Sequence, residues 1–418
     1  MPAKAGPIGA AIGVGLKVML ARRVAALSDA NRWARNARAM QTAALRDILT
    51  AAAKTEFGRA KDFSRIAALP ESEQAAAFRK AVKINTYDDL LPMLRRMRED
   101  AEPDVAWPGV VRDWAQTSGT TAGDKYVPVS RALLKHNWRA ALDVYANAQR
   151  FGVSIPSMYT GKVLFLGGST DLTTSDKGVR TGDLSGVVTR LIRWPMTMVY
   201  LPGKDIALMS DWPAKIDAMA RRCIDQDVRA LSGMPSWTLA LFERMIALRT
   251  EQGRPVASMR EIWPNLNLFI HGGTRYPPFE DRVREVWSGR PGGDDIPIRL
   301  EVYAASEAFV AMQDIRHDPG MRLNVDLGVF FEFVPAEQIH DESPDAFLCD
   351  EVEKGQRYVV VMTTCAGLWR YIIGDVVEFD TIPPDGPPRL RIVGRHRHFI
   401  NAFGENIIVE HVENAVVA

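Results

Sequence analysis

Four hydroxyls, two glycines and one ammonium fall within nine consecutive residues, Thr117-Ser118-Gly119-Thr120-Thr121-Ala122-Gly123-Asp124-Lys125. Glycine tolerates the backbone angles that turn successive N–H groups toward one point, and such a concavity holds an anion. The hydroxyls and Lys125 add donors to the same loop. This is the composition of a phosphate cradle. Three residues separate Gly119 from Gly123, so the spacing is not that of a Walker A loop. A solvated Ser/Thr/Gly surface loop has the same texture.

Tyr303-Ala304-Ala305-Ser306-Glu307 directly follows a strand-like run at 298–303. Open α/β sheets hold ligands at their strand ends, and this one supplies an aromatic face for a base, a hydroxyl, and a carboxylate for Mg²⁺. A helix N-cap at Ser306 is the competing reading. A third constellation runs from Leu368-Trp369-Arg370-Tyr371 to Gly374-Asp375, with Gly394-Arg395 further on. A carboxylate there can accept both hydroxyls of a ribose, and an arginine at the end of the next strand can reach ribose or phosphate oxygen. A β-turn at Gly374-Asp375, with Arg395 a surface charge, competes.

The elements that must position these groups read as an α/β protein. Residues 11–53 are helical in pattern, and a shorter helix is expected at 71–81; together they suggest an outer helical layer. Apolar runs at 163–166, 268–270 and 298–303 read as buried strands alternating with helices. After Arg322 the runs 328–334, 358–364, 371–379 and 390–393 are separated by short turn-rich segments, which favours a mainly antiparallel sheet or small barrel appended to the α/β body. No internal repeat or membrane-spanning segment is evident. The apolar stretch 8–21 is too short to span a bilayer and predicts an amphipathic or buried helix.

Composition bounds the partners. The 418 residues carry 52 basic and 51 acidic side chains, so no global field draws the chain to nucleic acid or an anionic membrane, and neither is expected as a partner. Cys223, Cys349 and Cys365 are odd in number and far apart, which argues for a reducing compartment, read as the cytoplasm. His396 and His398 form an HxH pair without a third ligand in view, so a zinc site is not expected. His271-Gly272-Gly273-Thr274 reads either as backbone lining for a nucleotide pocket or as a strand-to-loop turn. Met234-Pro235-Ser236-Trp237 reads either as a pocket wall or as core.

The three motifs, in this order and at these separations, resemble the adenylate-forming superfamily that includes acyl-CoA synthetases and luciferases. The sequence is more closely similar to the Gretchen Hagen (auxin-responsive) family of acyl acid amido synthetases: TSGTTAGDKYVP resembles its phosphate loop, YAASE its second motif and TTCAGLWRYIIGDVVEF its third. IWPNLNLFIHGG and FFEFVPAEQ resemble it too, so the similarity runs from about Thr55 to the last residue. The resemblance implies a multi-layered adenylation domain over 1–395, with parallel and mixed sheets between helices and a β-barrel-like part at 322–395. Residues 396–418 would be the hinge and the start of a small domain that is mostly absent, opening as strand, turn and helix over 404–417.

The resemblance also implies roles. Ser118, Thr120, Thr121 and Lys125 would meet the phosphates of ATP, with Gly119 and Gly123 shaping the loop. Tyr303 would lie on adenine beside Ser306, Glu307 would hold Mg²⁺, Asp375 would take the ribose, and Arg395 would sit at the hinge. His396-Arg397-His398 follows Arg395 where relatives often carry lysine or aspartate. The implied reaction is activation of a carboxylic acid as acyl-AMP and its transfer to an amino acid. An acid–thiol ligase and a non-catalytic nucleotide-binding module stay open as alternatives. The sequence names neither the acid, nor the base for the amine, nor the oligomeric state.

Overall fold

The computed structural model describes residues 6–117, 125–168, 172–396, 399–402 and 405–408. Helices α1 (Gly6–Ser28) and α2 (Ala30–Ala52) begin it. The helical pattern expected across 11–53 is thus split, because the Asp29 carboxylate accepts the Arg32 N–H at 3.1 Å and caps α2. Next come α3 (Glu56–Ala60), α4 (Phe63–Ala67), α5 (Glu71–Ala81) and α6 (Tyr87–Glu99). Helix α5 has the expected bounds, and Thr86 with Asp89 forms a reciprocal capping box at the start of α6.

Strands β1 (Asp113–Thr117) and β2 (Lys125–Val129) then form an antiparallel hairpin, followed by α7 (Arg131–Arg150) and α8 (Ile155–Tyr159). The next stretch holds β3 (Lys162–Leu166), β4 (Thr173–Thr174), β5 (Arg180–Gly182), α9 (Leu184–Leu191), β6 (Tyr200–Leu201) and α10 (Lys204–Ala207). After it come α11 (Trp212–Cys223), β7 (Val228–Gly233), α12 (Pro235–Glu251), α13 (Met259–Ile262), β8 (Leu268–Gly272) and α14 (Pro277–Ser288). The β-rich part contains β9 (Ile298–Ala304), β10 (Phe309–Gln313), β11 (Met321–Leu323), β12 (Val329–Pro335), β13 (Arg357–Thr364), β14 (Tyr371–Thr381) and β15 (Arg389–Arg395). A last hairpin joins β16 (Phe399–Ala402) to β17 (Glu405–Ile408), so Ile407 and Ile408 lie in a strand where a helix was expected.

Strands β6, β3, β7, β8 and β9 are parallel neighbours. Both of their faces are covered, so their sequences read as continuous apolar runs rather than alternating ones. Along β8, Phe269 joins a cluster with Trp263 and Trp287 under α11, α12 and α14. Leu268 and Ile270 face the opposite cluster with Phe151 and Tyr159, toward α7 and α8.

The expected barrel does not form among the described residues. Strand β9 turns antiparallel into β10, β10 pairs with β11, and β11 pairs with β15 through Met321 opposite Leu390. Strands β14, β13 and β12 follow in order, so residues 322–395 extend the parallel sheet into one sheet of eleven strands. The hydrogen bonds of β11 are taken by β10 and β15, which links the antiparallel block to the body instead of closing it on itself. A separate four-stranded sheet, ordered β2-β1-β5-β4, carries the hairpin of the glycine-rich loop.

Helix α2 lies across this extension. Its buried residues Trp33, Ala37, Gln41, Leu45, Ile48 and Ala52 recur at helical spacing. Gln41 staples it to the sheet edge: its amide donates to the carbonyls of Val325 and Val329 at 2.9 and 3.0 Å and accepts the Phe331 N–H at 2.7 Å. Gln41→Ala leaves three buried backbone groups without their partner, and we expect a loss of about 2–4 kcal/mol in urea unfolding. Loss of the helix cap in Asp29→Ala should cost only about 1 kcal/mol. Equal, small losses would show that the staple is not what holds the layer.

Candidate functional site

The C-terminal ends of the parallel strands, where the sheet turns antiparallel, gather the candidate residues. Tyr303 is near the end of β9, and the chain reverses at once into β10, with the Ala305 N–H donating to the Ala308 carbonyl at 2.9 Å. Ser306 and Glu307 therefore sit in a tight β-hairpin, and Ser306 caps no helix. Asp375 is inside β14 rather than in a β-turn. Between the pairs Val359–Val376 and Val361–Ile372, strand β13 supplies Val360 alone while β14 supplies Ile373, Gly374 and Asp375. This bulge needs Gly374 at φ +96°, a conformation costly for any residue with a Cβ.

Asp375 is the meeting point. The Tyr303 hydroxyl donates to its Oδ2 at 2.6 Å, and Arg395 Nε donates to its Oδ1 at 2.7 Å from the register partner on β15. The carboxylate is buried while the Arg395 side chain is half exposed. The bulge is also held from the far side, because the His396 N–H donates to the Gly374 carbonyl at 2.8 Å. Tyr303 is itself only 5 % exposed, so its hydroxyl orients Asp375. Burial first, and then the neighbouring Asp375, push its phenol far above the usual range.

Glu307 completes the cluster. It is 6 % exposed, and burial together with the nearby Asp375 charge pushes its carboxyl up to about 7, against the opposing fields of Arg395 and Lys125. Lys125 starts β2 opposite Thr117, its ammonium 5.4 Å from the centre of the Tyr87 ring. The Tyr87 hydroxyl accepts the Tyr126 N–H at 2.9 Å, which fixes the strand that presents Lys125. Ser118, Gly119, Thr120, Thr121 and Gly123 lie outside the described residues. Of the expected groups, the structure thus brings Tyr303, Glu307, Asp375 and Arg395 together, with Lys125 close enough to act on Glu307.

Several contacts that support this site have no local signature in the sequence, although Arg370 itself lies in the third motif. Arg370, at φ +42°, has its Nε on Glu332 at 2.8 Å and its Nη1 on the Val82 carbonyl at 2.8 Å. Asn85 N–H donates to the Arg370 carbonyl, and Asn85 Nδ2 to that of Trp369, at 2.8 and 2.7 Å. Together they clamp the start of β14, and with it the approach to Asp375. Their partners are remote in the chain, so no spacing rule exposes them.

The His271 segment is placed differently. His271 is the last residue but one of β8, packs against Phe269 and Tyr276, and is buried enough that its imidazole is pushed down to about 3. It is a neutral ring in an aromatic cluster. Gly272 is required by contact, since a Cβ there would come within 2.2 Å of the Val302 carbonyl oxygen. Glu301, opposite His271 on β9, is pushed up to about 7 by burial. Of the HxH pair, His396 stacks against His340 and His398 lies outside the described residues. Trp237 packs on Trp212, and Met234 sits against Gly273.

A buried carboxylate raised to about 7 leaves a measurable trace. Between the ordinary glutamate value of 4.5 and about 7 the folded chain keeps a proton on Glu307 that the unfolded chain releases, so stability falls as pH rises through that interval. Glu307→Gln should flatten part of this decline, giving up to about 3 kcal/mol of stability relative to the wild type at pH 8 and little difference at pH 4. Glu301 contributes a parallel decline that the variant leaves in place. Urea unfolding across pH checks this, and an unchanged pH slope would place Glu307 in contact with water.

Comparison with known proteins speaks to the family and the fold. Residues 26–200 match the GH3 family N-terminal domain, and residues 323–395 match the GH3 family central domain. The indole-3-acetic acid-amido synthetase GH3.8 of Oryza sativa subsp. indica is 24% identical, over 91% of this chain and 70% of that protein. The indole-3-acetic acid-amido synthetase GH3.3 of Arabidopsis thaliana is 22% identical, over 85% and 67%. The solved structure of the acyl acid amido synthetase AtGH3.15 in complex with 2,4-DB shares the fold, with a TM-score of 0.73 and 18% identity over 94% of this chain and 73% of that one. With both domains matched in order and the two later motifs meeting at Asp375, the chain belongs to the GH3 family.

Proposed function

We propose that the protein uses ATP to activate a carboxylic acid as an acyl-adenylate and then transfers the acyl group to the amine of an amino acid. The observation that carries this reading is the convergence of Lys125, Glu307 and the Tyr303–Asp375–Arg395 unit from three separate segments. Names of the rice and Arabidopsis relatives supply the amide-forming class.

In the first half-reaction an oxygen of the acid attacks the α-phosphorus of ATP, the bond to the bridging oxygen breaks, and pyrophosphate leaves. Lys125, with the loop containing Ser118, Gly119, Thr120, Thr121 and Gly123, meets the negative charge that grows on the phosphate oxygens. Asp375 receives the ribose. Each of its oxygens already accepts one hydrogen bond, and each keeps an acceptor position for a ribose hydroxyl. Tyr303 orients that carboxylate and borders the adenine site with Ser306, while Arg395 balances the charge at the edge of the phosphates. In the second half-reaction the amine nitrogen attacks the acyl carbon, AMP leaves, and the nitrogen gives up its proton.

Glu307 suits a divalent cation, because a carboxylate that burial holds near neutrality regains its charge beside a positive ion. Among the described residues no group of three or more His, Cys, Asp and Glu side chains is placed to hold a metal. One or two carboxylates with phosphate and water is a magnesium-like set. Mg²⁺ bound there would neutralise phosphate charge.

We assign these groups to a large unit, 1–395, with its β-rich part at 322–395 and a hinge opening at 396. Cytoplasmic placement is supported by Cys223, Cys349 and Cys365, all unpaired and buried. No helix among the described residues is long and apolar enough to cross a membrane.

The test is carboxylate-dependent exchange of labelled pyrophosphate into ATP across a panel of aromatic, fatty and keto acids. Lys125→Ala should slow adenylation by roughly a hundredfold. Asp375→Asn should act mainly on ATP affinity. Wild-type adenylation kinetics and affinity in both variants would remove the site assignment. Product mass spectrometry with amino acids and with coenzyme A separates the amide-forming reading from thioester formation.

A further inference from the structure

Helix α1 is apolar around most of its circumference yet only half covered. Gly9, Gly13, Leu20 and Leu27 face the body, with Gly13 so close to α8 that a Cβ would stand 2.7 Å from Pro156 Cα. The opposite side leaves Ile8, Val14, Val18 and Met19 exposed, Val18 at 71 %. A helix that is hydrophobic all round is ordinarily covered all round.

A second segment extends this face. The short turn Met196–Met198 rests beside α1, and Met196 joins the cluster that Ile12 and Leu16 pack against. Met198 is exposed, and so is Trp194, at 73 %. Two sequence-remote segments that touch each other thus both expose apolar side chains, a tryptophan among them.

Charge identifies what fits it. Residues 1–28 and 184–204 contain no Asp or Glu. Lys17, Arg22, Arg190 and Arg193 are exposed on these segments, and none of them forms an ion pair with a described residue. Arg23 is excluded from the set, because it is held by Asp143 and Asp326. A second copy of the chain laid face to face would bring cation against cation. An anionic bilayer surface answers both features: headgroups pair with the bases, while Val18, Met19 and Trp194 enter the headgroup–acyl boundary.

We propose that α1 and the 194–198 turn form a membrane-surface docking face for anionic lipid, lying on the bilayer without crossing it. The near-zero net charge, which predicts no such partner for the molecule as a whole, conceals it because the basic character is confined to two segments. The proposal is independent of the assigned reaction.

The test is flotation of the whole protein with vesicles of phosphatidylcholine alone and of phosphatidylcholine with roughly one third phosphatidylglycerol. The wild type should bind the anionic vesicles about tenfold or more tightly than the neutral ones, and less as salt rises. Val18→Glu, Trp194→Glu and the pair Lys17→Glu/Arg22→Glu should each reduce this binding strongly. Their thermal unfolding should stay at wild type, since these side chains are exposed. Absence of a preference for anionic vesicles, or undiminished binding by Val18→Glu and Trp194→Glu, overturns the proposal. So does a dimer in analytical ultracentrifugation that Val18→Glu dissociates, which would give the face to a second copy.

Discussion

One carboxylate sits where three strands meet. Asp375 is gripped by the Tyr303 hydroxyl from β9 and the Arg395 guanidinium from β15, and its own strand bulges at Gly374 to present it. Burying a charged carboxylate is costly unless it is hydrogen-bonded. Its two hydrogen bonds supply the compensation that burial removes, and still leave acceptor capacity on both oxygens. The balance extends to Glu307, which is raised by burial first and then by Asp375, and lowered by Arg395 and Lys125.

The sheet explains why this grouping is possible. Parallel strands bring β9 to the edge of the α/β body with its C-terminal end open, and the β9–β10 reversal then starts an antiparallel extension. That extension returns β15 beside β11, with β14 next to β15, so groups from distant parts of the chain converge. The clamp of Arg370, Glu332 and Asn85 holds the entry to β14. A buried ion pair of this kind contributes little net stability beyond an apolar equivalent, yet breaking it on one side leaves an uncompensated charge. Its value is therefore mainly in fixing one arrangement of the backbone that leads to Asp375.

Much of this was legible in the sequence because the chemistry is concentrated in short runs. Tyr303 ends one apolar strand-like run and Glu307 follows it, Asp375 and Arg395 lie on two successive strands, and the parallel body follows from β-branched runs alternating with helices. Other readings turned on non-local facts. Whether 322–395 closes into a barrel or continues the sheet depends on β11 pairing with β15, which no local pattern encodes. Ser306 has the chemistry of a helix cap, but the pairing of β9 with β10 makes it a hairpin residue. Gly374-Asp375 resembles a turn because glycine at positive φ serves turns and bulges alike. The break at Asp29 follows an ordinary capping rule, which the helical propensity on both sides obscured.

We propose that Asp375, held in this geometry, receives the ribose of the nucleotide. The most direct measurement of this is a double-mutant cycle by calorimetry, comparing the affinities of ATP and 2′,3′-dideoxy-ATP for the wild type and for Asp375→Asn. Removal of the hydroxyls should cost the wild type roughly tenfold to a hundredfold in affinity. In the variant the same removal should cost almost nothing, because the two changes delete one interaction. Additive losses, with the dideoxy nucleotide penalised equally in both proteins, would place the ribose away from Asp375.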